Sequence, residues 1–391
     1  MPRASRSPDL PPPSGAGRLD ALTSLRFGAA LLVFCFHLSL QGFFVGDGPV
    51  TDAARSVLRD GGWVGVSFFF VLSGFVLTWS RREQDAPGRF LRRRFARIAP
   101  NHVVTFALTL ALLGLGSSTV VEAAANLLLL HAWVPIDTVF FSVDEPSWSL
   151  SAELFFYLAF PLVAPVVHRL PRRSLVPVGL LLVGVVALVP SVASLLPEGA
   201  RFGARHAASP LHGASVLQVW AVYVLPPVRF LEFAVGMVCA RAVREGAVPR
   251  IPLALAGSLV VVSYGVGLAV PLLWSFGAVT TGPLALLVVA VAQSPRPPRL
   301  LTSRPAVRAG EISFAFYLVH AVVLALVARL VPTEGLPALA GAGLGVLALL
   351  VSGGAARALW ALVEVPANRA LRPRAPAAPT PSPLPPREER P

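Results

Sequence analysis

The chain reads as a succession of apolar runs, each near the length of a bilayer-crossing helix, separated by short polar or Arg-rich stretches. A spanning helix needs about 20 mostly apolar residues. The runs predict ten such helices, over 22–42, 62–80, 98–116, 148–168, 174–194, 217–240, 251–270, 272–293, 308–331 and 338–363. One more stretch, 120–134 (VVEAAANLLLLHAWV), is apolar but short. It suits either an eleventh span or a helix lying at the interface.

Arginine placement chooses between the two, because cytoplasmic loops carry the excess of basic residues. With ten spans, the inner loops are 81–97, 169–173, 241–250 and 294–307, and both termini lie inside. The first of these holds Arg81, Arg82, Arg89, Arg92, Arg93, Arg94 and Arg97. The others hold Arg169, Arg172 and Arg173, then Arg241, Arg244 and Arg250, then Arg296, Arg299 and Arg304. Outer loops carry only Arg55, Arg59, Arg201 and Arg205, and 117–147 carries Glu122, Asp137, Asp144 and Glu145 with no Arg. A crossing at 120–134 would turn every later Arg-rich loop outward. The expected fold is therefore all-α: a polytopic membrane bundle of about ten helices with both termini cytoplasmic.

Composition agrees with the pattern. Charged residues make up 14% of the 391, against about 25% in a soluble domain. The net charge of +13 would otherwise suggest a polyanionic partner such as nucleic acid, but so apolar a chain lacks the solvated surface such a partner needs. Cys35 and Cys239 lie inside apolar runs, which argues against a disulfide framework or a thiolate metal site. No small-residue cleavage site follows the first apolar run, so it is read as a retained helix. The segments 1–17 and 372–391 (the latter RPRAPAAPTPSPLPPREERP from Arg372) read as disordered tails flanking a membrane domain over 18–371. No internal repeat or appended soluble domain is evident.

Ionisable residues within spans are costly and by default mark function. His37 lies deep in the first helix, eleven positions after Arg26. Eleven residues are about three turns and roughly 16 Å of rise, which puts both on one face. A packing His with an interfacial Arg is the plain alternative. In RFLRRRFARIAP (89–100), Arg94 and Arg97 share a face; beyond setting topology, such guanidinium forks can bind phosphate bidentately. In PSWSLSAELFFYLAFP (146–161), Glu153 falls about a turn and a half inside the membrane and needs a partner or a proton. On depth, His37 is the candidate partner, and a structural Glu capping a neighbouring helix is the plain alternative. Arg229 with Glu232 is spaced to neutralise itself, Glu364 is placed as a structural cap, and His320 suits packing or function equally. No metal-ligand spacing, phosphate loop or nucleophile elbow is present.

Six motifs together resemble the acyltransferase 3 family of integral-membrane acyltransferases. They are RLDALTSLRFGAALLVFCFH (18–37), GVSFFFVLSGFVLT (65–78), FLRRRFARIAP (90–100), WSLSAELFFYLAFP (148–161), ISFAFYLVH (312–320) and LVEVP (362–366), in the family's order. The resemblance implies transfer of an acyl group from acyl-CoA, most simply acetyl-CoA, to a hydroxyl, with His37 essential and the Arg94–Arg97 pair serving the donor. Arg93, Arg94 and Arg97 would hold the CoA phosphates. His37 would act as general base or as acyl carrier, with Glu153 behind it. Arg26, Trp148, Ser149 and His320 are expected to meet the acceptor.

No permanently bound cofactor or metal is expected, and the partners are acyl-CoA, a hydroxyl-bearing glycan or small molecule, and the lipid of the cell membrane. Two departures bear on the substrate: Ser67 stands where many members have Asp, and Leu154 follows Glu153 where many have paired acids. In these features the chain is similar to members that acylate macrolides or their sugars. The competing reading is a multi-span transporter or flippase, which would favour repeated halves.

Overall fold

The computed structural model describes residues 16–41, 49–81, 86–116, 118–331 and 336–371. Among them, eight helical stretches are long and apolar enough to cross a membrane, and two shorter apolar helices stand in the seventh and eighth predicted positions. We number the ten apolar helices α1 (Ala16–Leu40), α2 (Gly61–Trp79), α3 (Pro87–Leu113), α4 (Trp148–Arg169), α5 (Arg172–Ala193), α6 (Pro226–Arg244), α7 (Leu253–Ala269), α8 (Thr281–Gln293), α9 (Arg304–Leu330) and α10 (Ala338–Leu359). The only β-pairing among the described residues is one bridge, Arg201 with Ser215. The protein is an all-helical, multi-pass membrane bundle. Residues 1–15 and 372–391, most of the two expected tails, lie outside the described residues.

The 120–134 segment does not span. Its helix, Val120–Leu127, has eight residues and ends before a 3-10 turn at His131–Trp133; eight residues rise only about 12 Å. Its start is fixed by a capping box in which Thr119 Oγ1 accepts from the Glu122 amide and the Glu122 carboxylate accepts from the Thr119 amide.

α2 is the central helix, buried at every position from Gly61 to Phe68. Lipid offers little hydrophobic gain for joining two apolar helices, so close backbone approach must supply the contact. α2 and α6 achieve it through facing glycines. A Cβ on Gly74 would lie 1.9 Å from the Phe233 carbonyl oxygen, and one on Gly236 would lie 1.9 Å from that of Val71. Outward-facing positions are apolar instead, as at Leu180, Leu181 and Leu188 on α5 and Leu347 and Leu350 on α10.

Two spans depart from the sequence expectation. α3 begins at Pro87, eleven residues before 98, so the Arg run is itself helical. Proline at the first helical turn starts it, and the arginines' long stems let the helix continue past the apolar run. The span expected over 272–293 is broken into Leu272–Ser275 and Thr281–Gln293.

A buried ion pair accounts for that break. Arg229 and Glu232 are 3% and 1% exposed and bridge at 2.8 Å. Arg229 also donates to the Phe276 carbonyl oxygen at 2.8 Å and to Ser67 Oγ at 3.0 Å. Thr281 Oγ1 donates to Glu232 at 3.0 Å. The pair consumes a carbonyl and a hydroxyl that an unbroken helix would place elsewhere. Gly277 makes the turn at φ 136°, where a Cβ would meet Glu232 Oε1 at 2.6 Å. Ser67 has thus become a neutral partner of an Arg whose carboxylate comes from its own helix.

Gly236→Ala should lower the midpoint of thermal unfolding in detergent, while Gly184→Ala, whose Cβ meets nothing within 4 Å, should leave it unchanged. Glu232→Ala should cost about 3–5 kcal/mol by stranding a buried guanidinium, and the same unfolding series measures it.

Candidate active site

Helix α1 carries Arg26 and His37 along one side, as the spacing predicts. His37 is buried, and its Nδ1 lies 2.9 Å from the Val33 carbonyl oxygen one turn back. His320 of α9 repeats the arrangement, with Nδ1 3.2 Å from the Phe316 carbonyl oxygen. A carbonyl only accepts, so the proton belongs on Nδ1 in both rings. His320 Nε2 is then a lone-pair acceptor and lies 3.2 Å from His37 Nδ1. The two rings meet edge to face with centroids 5.0 Å apart. His37 Nε2 is left as the basic nitrogen of the pair.

This corrects one expectation. Glu153 is not the partner of His37; a second imidazole is. Glu153 accepts from the Tyr157 hydroxyl one turn along α4 and from Ser73 Oγ at 3.4 Å on α2. Depth in the membrane matched the two residues, but they face different parts of the bundle.

Four successive cavities share lining residues through the bundle. At one end, about 510 Å³ lies between Arg81, Arg93 and Arg94. Through Arg94 and Leu77 it adjoins a space of about 820 Å³ lined by Arg26, Arg94, Arg97, Glu153, Tyr157 and Tyr317. Tyr317 and Val66 separate that space from one of about 420 Å³, where His37, Trp148 and Tyr223 form part of the wall. His37 and Glu145 in turn border a fourth, of about 440 Å³, which also holds Asp144. The line therefore runs from an arginine-rich end to an acidic one, with His37 at the junction of the last two spaces.

The partition is held by hydrogen bonds. The Tyr317 and Ser149 hydroxyls lie 3.1 and 2.9 Å from the Pro146 carbonyl oxygen and 2.8 Å from each other, so one donates to the other and the second donates to Pro146. Trp148 packs on Tyr223 with ring centroids 4.5 Å apart, and a π-helical turn at Trp220–Val224 sets Tyr223 there. Beyond the partition, Val143 adopts φ 57°, a strained conformation for a β-branched residue. The next residue, Asp144, is 2% exposed, and neither carboxylate oxygen has a hydrogen-bond partner. Burial, with Glu145 beside it, pushes the Asp144 carboxyl up to about 8.

Arg26, Arg94 and Arg97 thus come together with Glu153, Arg93 lines the adjoining space, and His37 and Trp148 share the next. Ser149 lies on the Arg side of the partition, and His320 stands behind His37. Sequence reasoning assigned no site role to Tyr157, Tyr223, Tyr317, Asp144 or Glu145. A signal for the tyrosines existed: the chain has four, and three line these cavities.

The chain belongs to the acyltransferase 3 family of integral-membrane acyltransferases, whose acyltransferase domain matches residues 19–357. Acyltransferase MdmB of Streptomyces mycarofaciens is 38% identical over 383 residues, 94% of this chain and 96% of that protein. Exopolysaccharide production protein ExoZ of Rhizobium meliloti (strain 1021) is 29% identical over 285 residues, 68% of this chain and 78% of that protein. No solved structure matches.

His320→Ala should lower kcat by about 10–100-fold, because the His37 ring then keeps only the Val33 carbonyl to orient it. Steady-state kinetics should show the donor KM little changed.

Proposed function

We propose that the protein is a cell-membrane O-acyltransferase that moves an acetyl or other short acyl group from acyl-CoA to a hydroxyl of a carbohydrate or macrolide-type metabolite. The observation that carries this reading is the position of His37 at the junction of two cavities on a line that begins among arginines. Arginine-rich loops favour the cytoplasmic side, where acyl-CoA is found. Arg93, Arg94 and Arg97 would hold its phosphates, and Arg26 with Glu153 would line the way inward.

In this mechanism the acceptor hydroxyl reaches His37 from the acidic end. His37 Nε2 takes its proton as the oxygen attacks the thioester carbonyl. The tetrahedral adduct collapses with cleavage of the C–S bond. The departing thiolate recovers the proton from the imidazolium, leaving an ester and free CoA. His320, neutral and accepting from His37 Nδ1–H, keeps Nε2 unprotonated at the start. Direct transfer is preferred to an acyl-histidine intermediate because His37 borders both cavities, so donor and acceptor can meet on one ring. Glu153 balances charge among the arginines rather than serving the imidazole.

The small aromatic-walled space beside His37 favours a short acyl chain. A sugar hydroxyl as acceptor is supported by the relative whose name ties it to exopolysaccharide production, and a macrolide by the likeness to macrolide-acylating members in the Ser67 and Leu154 departures. Membership of an acyltransferase family weighs against the transporter reading.

Membranes supplied with labelled acetyl-CoA and extracted acceptor should lose transfer about 10²–10⁴-fold with His37→Ala. Full transfer by that variant would refute the mechanism. Arg94→Gln combined with Arg97→Gln should raise the KM for acyl-CoA about 10–100-fold, more than it lowers kcat, as expected for lost charge-assisted hydrogen bonds.

A further inference from the structure

The acidic end of the line of cavities has a chemistry that acyl transfer to a neutral hydroxyl does not require. Asp144 is buried, faces the fourth cavity and has both carboxylate oxygens unpartnered. An unsatisfied buried carboxyl is costly and calls for a partner. Glu145, half-buried, borders both spaces around His37. Among the described residues, no Arg lines either one, although the chain as a whole carries a net charge of +13. The wall that Glu145 shares with His37 is aromatic, with Phe36, Trp63, Phe141 and Trp148 among its residues.

Carboxylates combined with aromatic faces are the recognition chemistry of alkylammonium groups. We infer that the two spaces around His37 select an acceptor that carries a protonated amine near the hydroxyl to be acylated, the amine held by Glu145, which borders both, between Asp144 in the fourth cavity and the aromatic wall of the third. The inference rests on the acyltransferase reading for the location of the acceptor. Titratable groups facing Asp144 are Glu145, His37 and Tyr317, and none of them supplies a fixed positive charge. Burial favours the uncharged form of the Asp144 carboxyl; an ammonium beside it would favour the carboxylate instead, the displaced proton passing to solvent. A neutral alcohol supplies no positive charge, so its binding gains no ion pair from the acids.

Choline and 3,3-dimethylbutan-1-ol share shape and hydroxyl and differ by one charge, so they isolate the effect. The purified full chain in lipid nanodiscs is titrated with each, read by tryptophan fluorescence, since Trp63 and Trp148 line the cavity. Choline should bind about tenfold more tightly than the neutral isostere. Asp144→Asn, Glu145→Gln and the double variant should each remove part or all of that preference, with gel filtration reporting folding. Because Glu145 is half-exposed, Glu145→Gln keeps the test open if Asp144→Asn does not fold.

Equal binding of both probes by the wild type would overturn the inference, and so would a choline preference that survives in Glu145→Gln and in a folded double variant. Transfer from labelled acetyl-CoA is measured separately in the same nanodiscs. Transfer with equal probe binding would remove the cationic acceptor and leave the acyltransferase reading intact. A choline preference lost in the acid variants, with no transfer to any acceptor, would leave the cation site standing and overturn the transfer mechanism and the cation's role as acceptor.

Discussion

In hydrocarbon, every polar group must find its partner inside the protein, and the Arg229–Glu232 pair shows how far that constraint reaches. To satisfy one buried guanidinium, the bundle draws in a carboxylate from the same helix, a hydroxyl from Ser67 on α2 and the carbonyl of Phe276. The last of these is available only because the chain breaks before α8. The guanidinium also lies against the rings of Phe70 and Tyr223, 5.3 and 5.5 Å from their centroids. Both rings line cavities of the site. An interaction based on α6 therefore sets part of the walls around Arg26, Arg94 and His37.

The same constraint shapes the pair His37 and His320. Each ring turns its Nδ1–H toward a carbonyl of its own helix, and His37 shares that proton between the Val33 carbonyl and His320 Nε2, which fixes orientation without a carboxylate. A carboxylate behind His37 would stabilise an imidazolium there more strongly, at the cost of burying another charge. A neutral imidazole supplies direction at less electrostatic expense. The two acids that do approach His37 lie on the cavity side, at Asp144 and Glu145, where a ligand can reach them.

Much of the architecture was legible because lipid makes hydropathy nearly a direct reading of helix position. Ten apolar runs appear as ten apolar helices, and the short 120–134 run stays short, with its capping box readable as Thr119 and Glu122. The errors have specific causes. Pro87 extends α3 backward because arginine stems continue a helix that an apolar-run criterion ends. The break near Gly277 was hidden because the residues around it are themselves apolar, and the cause of the break lies on α6.

For the site, sequence alone determined which residues were out of place in a membrane: Arg26, His37, Arg94, Arg97, Glu153 and His320 all stand out against hydrocarbon. It also determined that Arg26 and His37 share a face, since helical periodicity is a local property. Only the tertiary structure decided who meets whom. His37 pairs with a residue 283 positions away, Glu153 turns toward the arginines, and Asp144 is left facing His37 across a cavity. Depth along the membrane follows from position in the chain. The direction a side chain faces around the bundle follows from how the helices pack, and no single helix contains that information.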